Sequence, residues 1–322
     1  MKNSAIFSFV RVSDNSMVAS VRIAKFLRDI LDVPLWWGEE IGEMRSLDTL
    51  IIVNGAYGFS KHLEALSHAI LGAKRIVWVQ NDYTIIPPRT DGDAQSPFRR
   101  AFVERKQRGS APVSFWSTCH KWSSLPGSHY VNWNMLTFDE KYDAKKIATM
   151  RKSVAFDSLF YYGSFRDGSG KSSRVPLFRR YFQEPRVSTM ISSPVDKFAK
   201  AFPGCLHTGA IDGSIYDVLR EHGLGLYIED RKSSEEFHSP ANRFYEMLSA
   251  GLPMVFAPEC QAMMRKAGYD IEPYIARYAS SMPRLMEERE KIGHAQREAW
   301  VKGSKVFRAE LLTQIGNARR TL

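Results

Sequence analysis

The sequence predicts an α/β protein built from two parallel-sheet halves. Short apolar runs alternate with helix-period stretches along almost all of its 322 residues, the pattern made by parallel strands joined through crossover helices. Runs such as "TLIIVNG" (49–55) are apolar without alternation, as strands covered on both faces are. A polar, charged stretch, "FDEKYDAKKIATMRKSV" (138–154), breaks the alternation. It reads as the linker between a first domain, 1–150, and a second that starts at 151.

In the first half, "AIFSFV" (5–10) reads as a strand. Residues 17–31 form a helix that turns Val18, Val21, Ala24 or Phe26, Leu27 and Leu31 inward. Strand 49–55 follows, then helix 60–71 with Ser60 as its cap, and strand 74–82. From 84 to 112, Pro87, Pro88, glycines and clustered Arg and Lys mark a long loop, with a short helix near 98–107. "VSFWST" and "HYVNWNM" complete this half as strands.

The second half opens with strand 157–165, helix 173–183, strand 186–191, a short strand at "CLHTG", helix 213–222 and strand 224–230. "SPANRFYEMLSAGLPMVFAPE" (239–259) then reads as a helix, a glycine stop and a buried strand. Ser239 is a good N-cap, Pro240 suits the first helical position, and Gly251 can end the helix in a left-handed conformation. The tail from about 281 is charged and reads as two helices. No repeat of solenoid length recurs. Two parallel halves with a cleft between them is the economical reading.

Composition narrows the function classes. The chain is 44% hydrophobic and 25% charged, ordinary for a globular protein. Its longest apolar runs are strand-length, so no membrane span is expected. The opening "MKNSAIFSFVRVSD" lacks a secretory signal's apolar core and cleavage site. Cys119, Cys205 and Cys260 are too widely spaced for a metal set or a disulfide framework. They read as packing residues of a cytoplasmic protein. The histidines are scattered and no Ser–His–Asp signature is visible. The formal charge of +10 favours polyanions such as nucleic acid or acidic headgroups, although basic enzymes that bind neither are common.

Residues just beyond the carboxyl ends of parallel strands are where ligands bind, and four such places carry chemistry. "YYGSFRDGSGKSSR" (161–174) runs from a strand through Gly163, Ser164, Arg166, Gly168, Gly170 and Lys171. Small residues let backbone N–H groups approach an anion, and Arg166 and Lys171 would complete a diphosphate cradle. The alternative is a glycine turn with solvated basic side chains. On helix 239–251, Arg243 and Glu246 share a face. An arginine fork suits phosphate, and a carboxylate can accept both hydroxyls of a ribose. A solvated surface pair, stabilising by only about 0.2–0.5 kcal/mol, is the plainer alternative. Glu229 and Asp230 end a strand, where they could orient a sugar or merely finish a turn. Asp82 ends strand 74–82 and could act as a general base or as a loop cap.

Together, "TLIIVNG", "RIVWVQNDYTIIP", "LFYYGSFRDG" and "LGLYIED" followed by "ANRFYEMLSAGLPMVFAPE" resemble the DNA β-glucosyltransferase family of T-even bacteriophages, in the manner of a remote relative. The resemblance implies the GT-B architecture, two Rossmann-like domains facing a central cleft. It implies that 151–299 binds UDP-glucose or a related UDP-sugar, that 1–150 faces DNA, and that a C-terminal helix (300–322) packs back on the first domain. Ser164, Arg166 and Arg243 fall on diphosphate-binding positions, Glu246 on the ribose-binding glutamate, Asp82 on the general base and Asp230 on a strand-end acid. Two positions depart from the family. Gly170 stands where it has a second loop arginine, so Lys171 is the substitute, and Val21 stands where it has an acidic residue. That departure leaves dependence on Mg²⁺ or Mn²⁺ open, and the sequence itself supplies no metal site.

The function expected is therefore that of a cytoplasmic, monomeric, inverting glycosyltransferase, acting in the host cytoplasm if phage-encoded. It would move a sugar, glucose first, from UDP to the hydroxymethyl group of hydroxymethylcytosine or hydroxymethyluracil in double-stranded DNA. The target base would be flipped out of the stack. Arg89, Arg99, Arg100, Arg105, Lys106 and Arg108 are candidate DNA phosphate contacts, with an exposed solubilising loop as the alternative. A GT-B enzyme acting on a cell-surface glycan, and a non-catalytic DNA-binding protein on a decayed transferase fold, are the competing expectations.

Overall fold

The computed structural model describes residues 3–8, 19–38, 40, 46–53, 63–80, 97–111, 113–120, 127–138, 159–163, 173–182, 187–191, 195–208, 219, 222–302 and 304–320. The chain divides into two compact units, Met1–Leu136 with Ala309–Leu322, and Thr137–Arg308.

The first unit holds strands β1 (Ser4–Ser8), β2 (Leu35–Trp37), β3 (Thr49–Val53), β4 (Arg75–Gln80), β5 (Ser114–Ser117) and β6 (Ser128–Tyr130). They form one sheet in the order β2-β1-β3-β4-β5-β6, and all its pairs are parallel. Helices α1 (Ala19–Leu31), α2 (Leu63–Gly72) and α3 (Pro97–Gln107) belong to it. Successive side chains of a strand point to opposite faces, and here each face finds its own cover. Ile6, Ile51 and Val77 pack with Ile23, Ala24, Leu27 and Leu31 of α1 and with Leu311, Ile315 and Ala318 near the C-terminus. Phe7, Ile52 and Trp78 pack on the other face with Leu66 and Ile70 of α2 and Ala101 of α3. The unbroken apolar runs are the consequence.

The second unit holds β7 (Leu159–Gly163), β8 (Val187–Ile191), β9 (Leu206–Thr208), β10 (Leu224–Tyr227) and β11 (Met254–Phe256), in the parallel order β11-β10-β7-β8-β9. Its helices are α4 (Val175–Tyr181), α5 (Val195–Ala201), α6 (Arg231–Glu236), α7 (Asn242–Ser249), α8 (Gln261–Lys266), α9 (Met282–Glu287) and α10 (Arg289–Trp300). A last helix, α11 (Ser304–Arg319), starts in this unit and ends in the first. Phe178 and Phe182, from the end of α4, meet Phe198 and Phe202, from the end of α5, edge to face. Gln296 of α10 closes the edge strand β11, accepting from Met254 N at 2.9 Å and donating to Met254 O at 2.7 Å. That leaves less of the edge open to a foreign strand. Among the described residues, no helix is long and apolar enough to cross a membrane.

Most expected elements form, with informative differences. "HYVNWNM" is a strand only to Tyr130, and Trp133–Thr137 is a 3-10 turn. The tail is three helices, α9 to α11, rather than two. β2, α5, α6 and α8 are too short or too polar to show a clear period.

Candidate functional site

Strand order locates the site of the second unit. From β7 the chain moves to β8 and β9 on one side, then returns to β10 on the other side of β7. The carboxyl ends of β7 and β10 therefore form the topological switch point, where open parallel sheets bind ligands. Gly163 ends β7, and Ile228, Glu229 and Asp230 follow β10.

Four charged side chains converge there. Arg174, at the N-cap of α4, is buried and spends its guanidinium on three partners. It donates through Nη2 to Glu229, through Nε to Asp230 at 3.2 Å and through Nη1 to the Tyr161 hydroxyl at 3.2 Å. The other Glu229 oxygen accepts from Arg243 Nη2, which also donates to the Ile228 carbonyl at 2.5 Å. The Tyr227 hydroxyl donates to Glu229 at 3.2 Å. Asp230 is fully buried and caps α6, accepting from Ser233 N at 2.9 Å and from its hydroxyl at 3.0 Å.

Arg243 and Glu246 are not a solvated surface pair: they are 9% and 4% exposed. Arg243 turns to Glu229 and lies over the Tyr227 ring, 5.0 Å from its centroid. Among the described residues, its buried Nε has no hydrogen-bond partner. Its Nη1 points toward Gly163, where a Cβ would come within 3.2 Å of it and within 3.0 Å of the Tyr161 hydroxyl. Gly163 has a φ of +142°, so both backbone and space favour glycine at this turn. Glu246 accepts a 2.6 Å hydrogen bond on Oε2 from the Tyr162 hydroxyl. Adjacent tyrosines of β7 thus serve opposite partners, Tyr161 reaching Arg174 and Tyr162 reaching Glu246.

The start of α7 differs from the expected Ser239–Pro240 cap. Ala241 occupies the N-cap, its N–H donates to the Tyr227 hydroxyl at 2.7 Å, and the buried Ser239 hydroxyl has no partner among the described residues. The far end matches the expectation. Gly251 has a φ of +64°, and Leu252 N and Gly251 N donate to Met247 O and Leu248 O at 2.9 and 3.1 Å. That is the paired-bond glycine stop of a Schellman motif.

Electrostatics fix the protonation states. Burial is the largest influence and works against both guanidinium charges. Glu229 together with Tyr161, and with Asp230 for Arg174 or Tyr227 for Arg243, nonetheless raises the pKa of each arginine, while Arg174 partly opposes Arg243. Burial, reinforced by the Glu229 charge, pushes the Tyr227 hydroxyl well above its ordinary value, so it remains a neutral donor. Arg174 and Arg243 thus face Glu229 and Asp230, and Arg243 Nη1 lies on the Gly163 side of the cluster. Among the described residues, no group of three or more His, Cys, Asp or Glu is placed to hold a metal ion.

Of the other expected site residues, Asp82, Arg89, Ser164, Arg166 and Lys171 lie outside the described residues. Arg99 is on α3, as are Arg100 and Lys106, which are exposed, while the exposed Arg108 just beyond the helix pairs with Glu104. Arg105 does not serve as an exposed phosphate contact. It is 3% exposed and donates to the carbonyls of Ile70, Ala73, Lys74 and Ala111. The helical period explains this, since Arg105 lies one turn after the buried Ala101 on the covered face. Val21 is a core residue of α1, and the three cysteines are buried outside any disulfide. Sequence reasoning missed Arg174 and the three tyrosines. The only local signal was an arginine beside a helix-starting Val-Pro.

No protein-family model matches the chain, and no curated protein matches it in sequence. Solved structures do match. A crystal structure of the DNA-modifying enzyme β-glucosyltransferase, with and without its substrate uridine diphosphoglucose, superposes with a TM-score of 0.61 over 99% of this chain and 98% of that one, at 11% identity. Anabaena HepE in complex with UDP-glucose gives 0.58 over 99% and 98%, at 12% identity. An α-glucosyltransferase with UDP-glucose and DNA containing an abasic site gives 0.55 over 93% and 95%, at 10% identity. Likeness at these identities is likeness of fold, and it spans nearly the whole chain. The two parallel-sheet units are the Rossmann-like halves of a GT-B fold.

Proposed function

We propose that this protein is an inverting, UDP-sugar-dependent glycosyltransferase that moves glucose to the hydroxymethyl group of a modified pyrimidine in double-stranded DNA. The observation that carries the reading is the joint placement of Arg243 and Glu246. One helix brings a partly uncommitted guanidinium and a carboxylate to the switch point, as a nucleoside diphosphate requires. In the proposed complex Arg243, with Ser164, Arg166 and Lys171, holds the diphosphate, while Glu246 accepts from the ribose hydroxyls. Asp230 acts from behind, capping α6 and holding Arg174.

In the proposed reaction the acceptor hydroxyl oxygen attacks the anomeric carbon and its proton passes to Asp82. The bond between that carbon and the β-phosphate oxygen breaks, and UDP leaves with the electron pair. Arginine and lysine donors stabilise the charge building on the diphosphate, commonly the largest single contribution in such a step. Arg89, Arg99, Arg100, Lys106 and Arg108 contact DNA phosphates, a role the net charge of +10 supports. The 151–299 segment is assigned to the donor, 1–150 to DNA, and the protein acts as a monomer on a flipped base.

The test is incubation with labelled UDP-glucose and duplex DNA carrying hydroxymethylcytosine or hydroxymethyluracil. Transfer to the DNA is expected, and Asp82→Asn should lower turnover about 10²–10⁴-fold with UDP affinity unchanged. Transfer to a glycan but to neither DNA would select a glycan-modifying enzyme instead. Saturable DNA binding without UDP binding would select a non-catalytic DNA-binding protein.

A further inference from the structure

We propose that Arg174 is a positioning residue for the diphosphate site, acting through Glu229 to keep Arg243 available to the ligand. This rests on the reading of that site as one for a nucleoside diphosphate. Glu229 joins the two arginines. One carboxylate oxygen accepts from Arg174, and the other accepts from Arg243 and from the Tyr227 hydroxyl. Arg174 is itself 3% exposed on its side chain, with Nε, Nη1 and Nη2 all bonded inside the protein. Its role is therefore exerted on other side chains, and ligand contact falls to Arg243.

Charge gives the direction of the effect. Arg174 and Arg243 balance Glu229 and Asp230. Without Arg174, one guanidinium faces two buried carboxylates, and the site is one positive charge poorer toward an anionic diphosphate. Glu229, released from Arg174, can also draw further donors of Arg243 away from Gly163. Both effects weaken recognition of phosphate and leave recognition of the nucleoside alone. A lysine at 174 restores the charge but offers one point of contact where the guanidinium reaches three partners.

The experiment is calorimetric titration of the full chain with UDP, with uridine followed in parallel by ligand-observed NMR. Arg174→Gln should weaken UDP binding about tenfold or more, given the range of an unscreened charge, and leave uridine binding unchanged. The double variant Arg174→Gln/Glu229→Gln, which removes one charge of each sign, should recover most of the UDP affinity. Arg174→Lys should fall between the single variant and the unaltered protein, and it gives the reading if Arg174→Gln fails to fold. Equal loss of UDP and uridine, or no recovery in the double variant, would overturn the proposal as a merely structural role. Absence of UDP binding to the unaltered protein would overturn the donor-site reading itself, and this inference with it.

Discussion

Arg100 and Arg105 share one helix and live in opposite environments, one exposed and one buried against four carbonyls. Charge counting treats them alike, and only the helical period inherited from Ala101 separates them. Arg105→Ala should destabilise the protein by about 2–3 kcal/mol in denaturant titration, because it removes charge-assisted bonds and leaves buried carbonyls unpaired. Arg100→Gln with Lys106→Gln should change stability by no more than about 0.5 kcal/mol. On the proposed function, the same pair lowers DNA affinity and reduces the slope of log K against log salt by about 0.9 per lost phosphate contact. An unchanged slope would remove α3 from the interface. Arg243 and Glu246 could be singled out because their signal is local, two charged residues one turn apart near the start of an apolar helix. Arg174 was not, because its partners Glu229 and Asp230 lie 55 and 56 residues away. No pattern along the chain couples residues so far apart.

At the scale of elements, apolar period carried most of the reading and failed where elements are short. α6, "RKSSEE", has no apolar face and is started by the Asp230 cap. α7 was placed correctly but begins later than Ser239, since a tyrosine hydroxyl from β10 supplies the bond expected of a serine. That substitution is tertiary and invisible to capping rules. The packing of α7 on β10 is unusually close at Gly225, where a Cβ would fall 2.5 Å from Met247 Sδ and 2.9 Å from Leu252 Cδ2. Gly225→Ala should therefore cost about 1–3 kcal/mol in thermal or chemical unfolding. By displacing the helix that carries Arg243 and Glu246, it should also weaken UDP binding. A variant of full stability and full affinity would show that α7 can move without consequence.

Across the whole molecule, the division into two parallel-sheet halves was readable from the alternation of runs. The strand orders were not, because crossover connections look the same whichever side of the sheet they return to. Yet strand order gives the site its place, by setting β7 beside both β8 and β10. The fold likeness to glucosyltransferases extends over nearly the full chain, and the charged cluster lies where that fold's topology predicts a ligand. The proposed function therefore depends on whether this cluster binds a nucleotide. The most direct measurement is calorimetric titration with UDP and 2′-deoxy-UDP of the unaltered protein, Arg243→Gln and Glu246→Gln. One-to-one UDP binding is predicted, weakened about 10–100-fold by Arg243→Gln, as loss of a charge-assisted phosphate contact implies. The preference for UDP over its 2′-deoxy analogue should appear in the unaltered protein and vanish in Glu246→Gln. No UDP binding, or the same affinities in all three proteins, would contradict it.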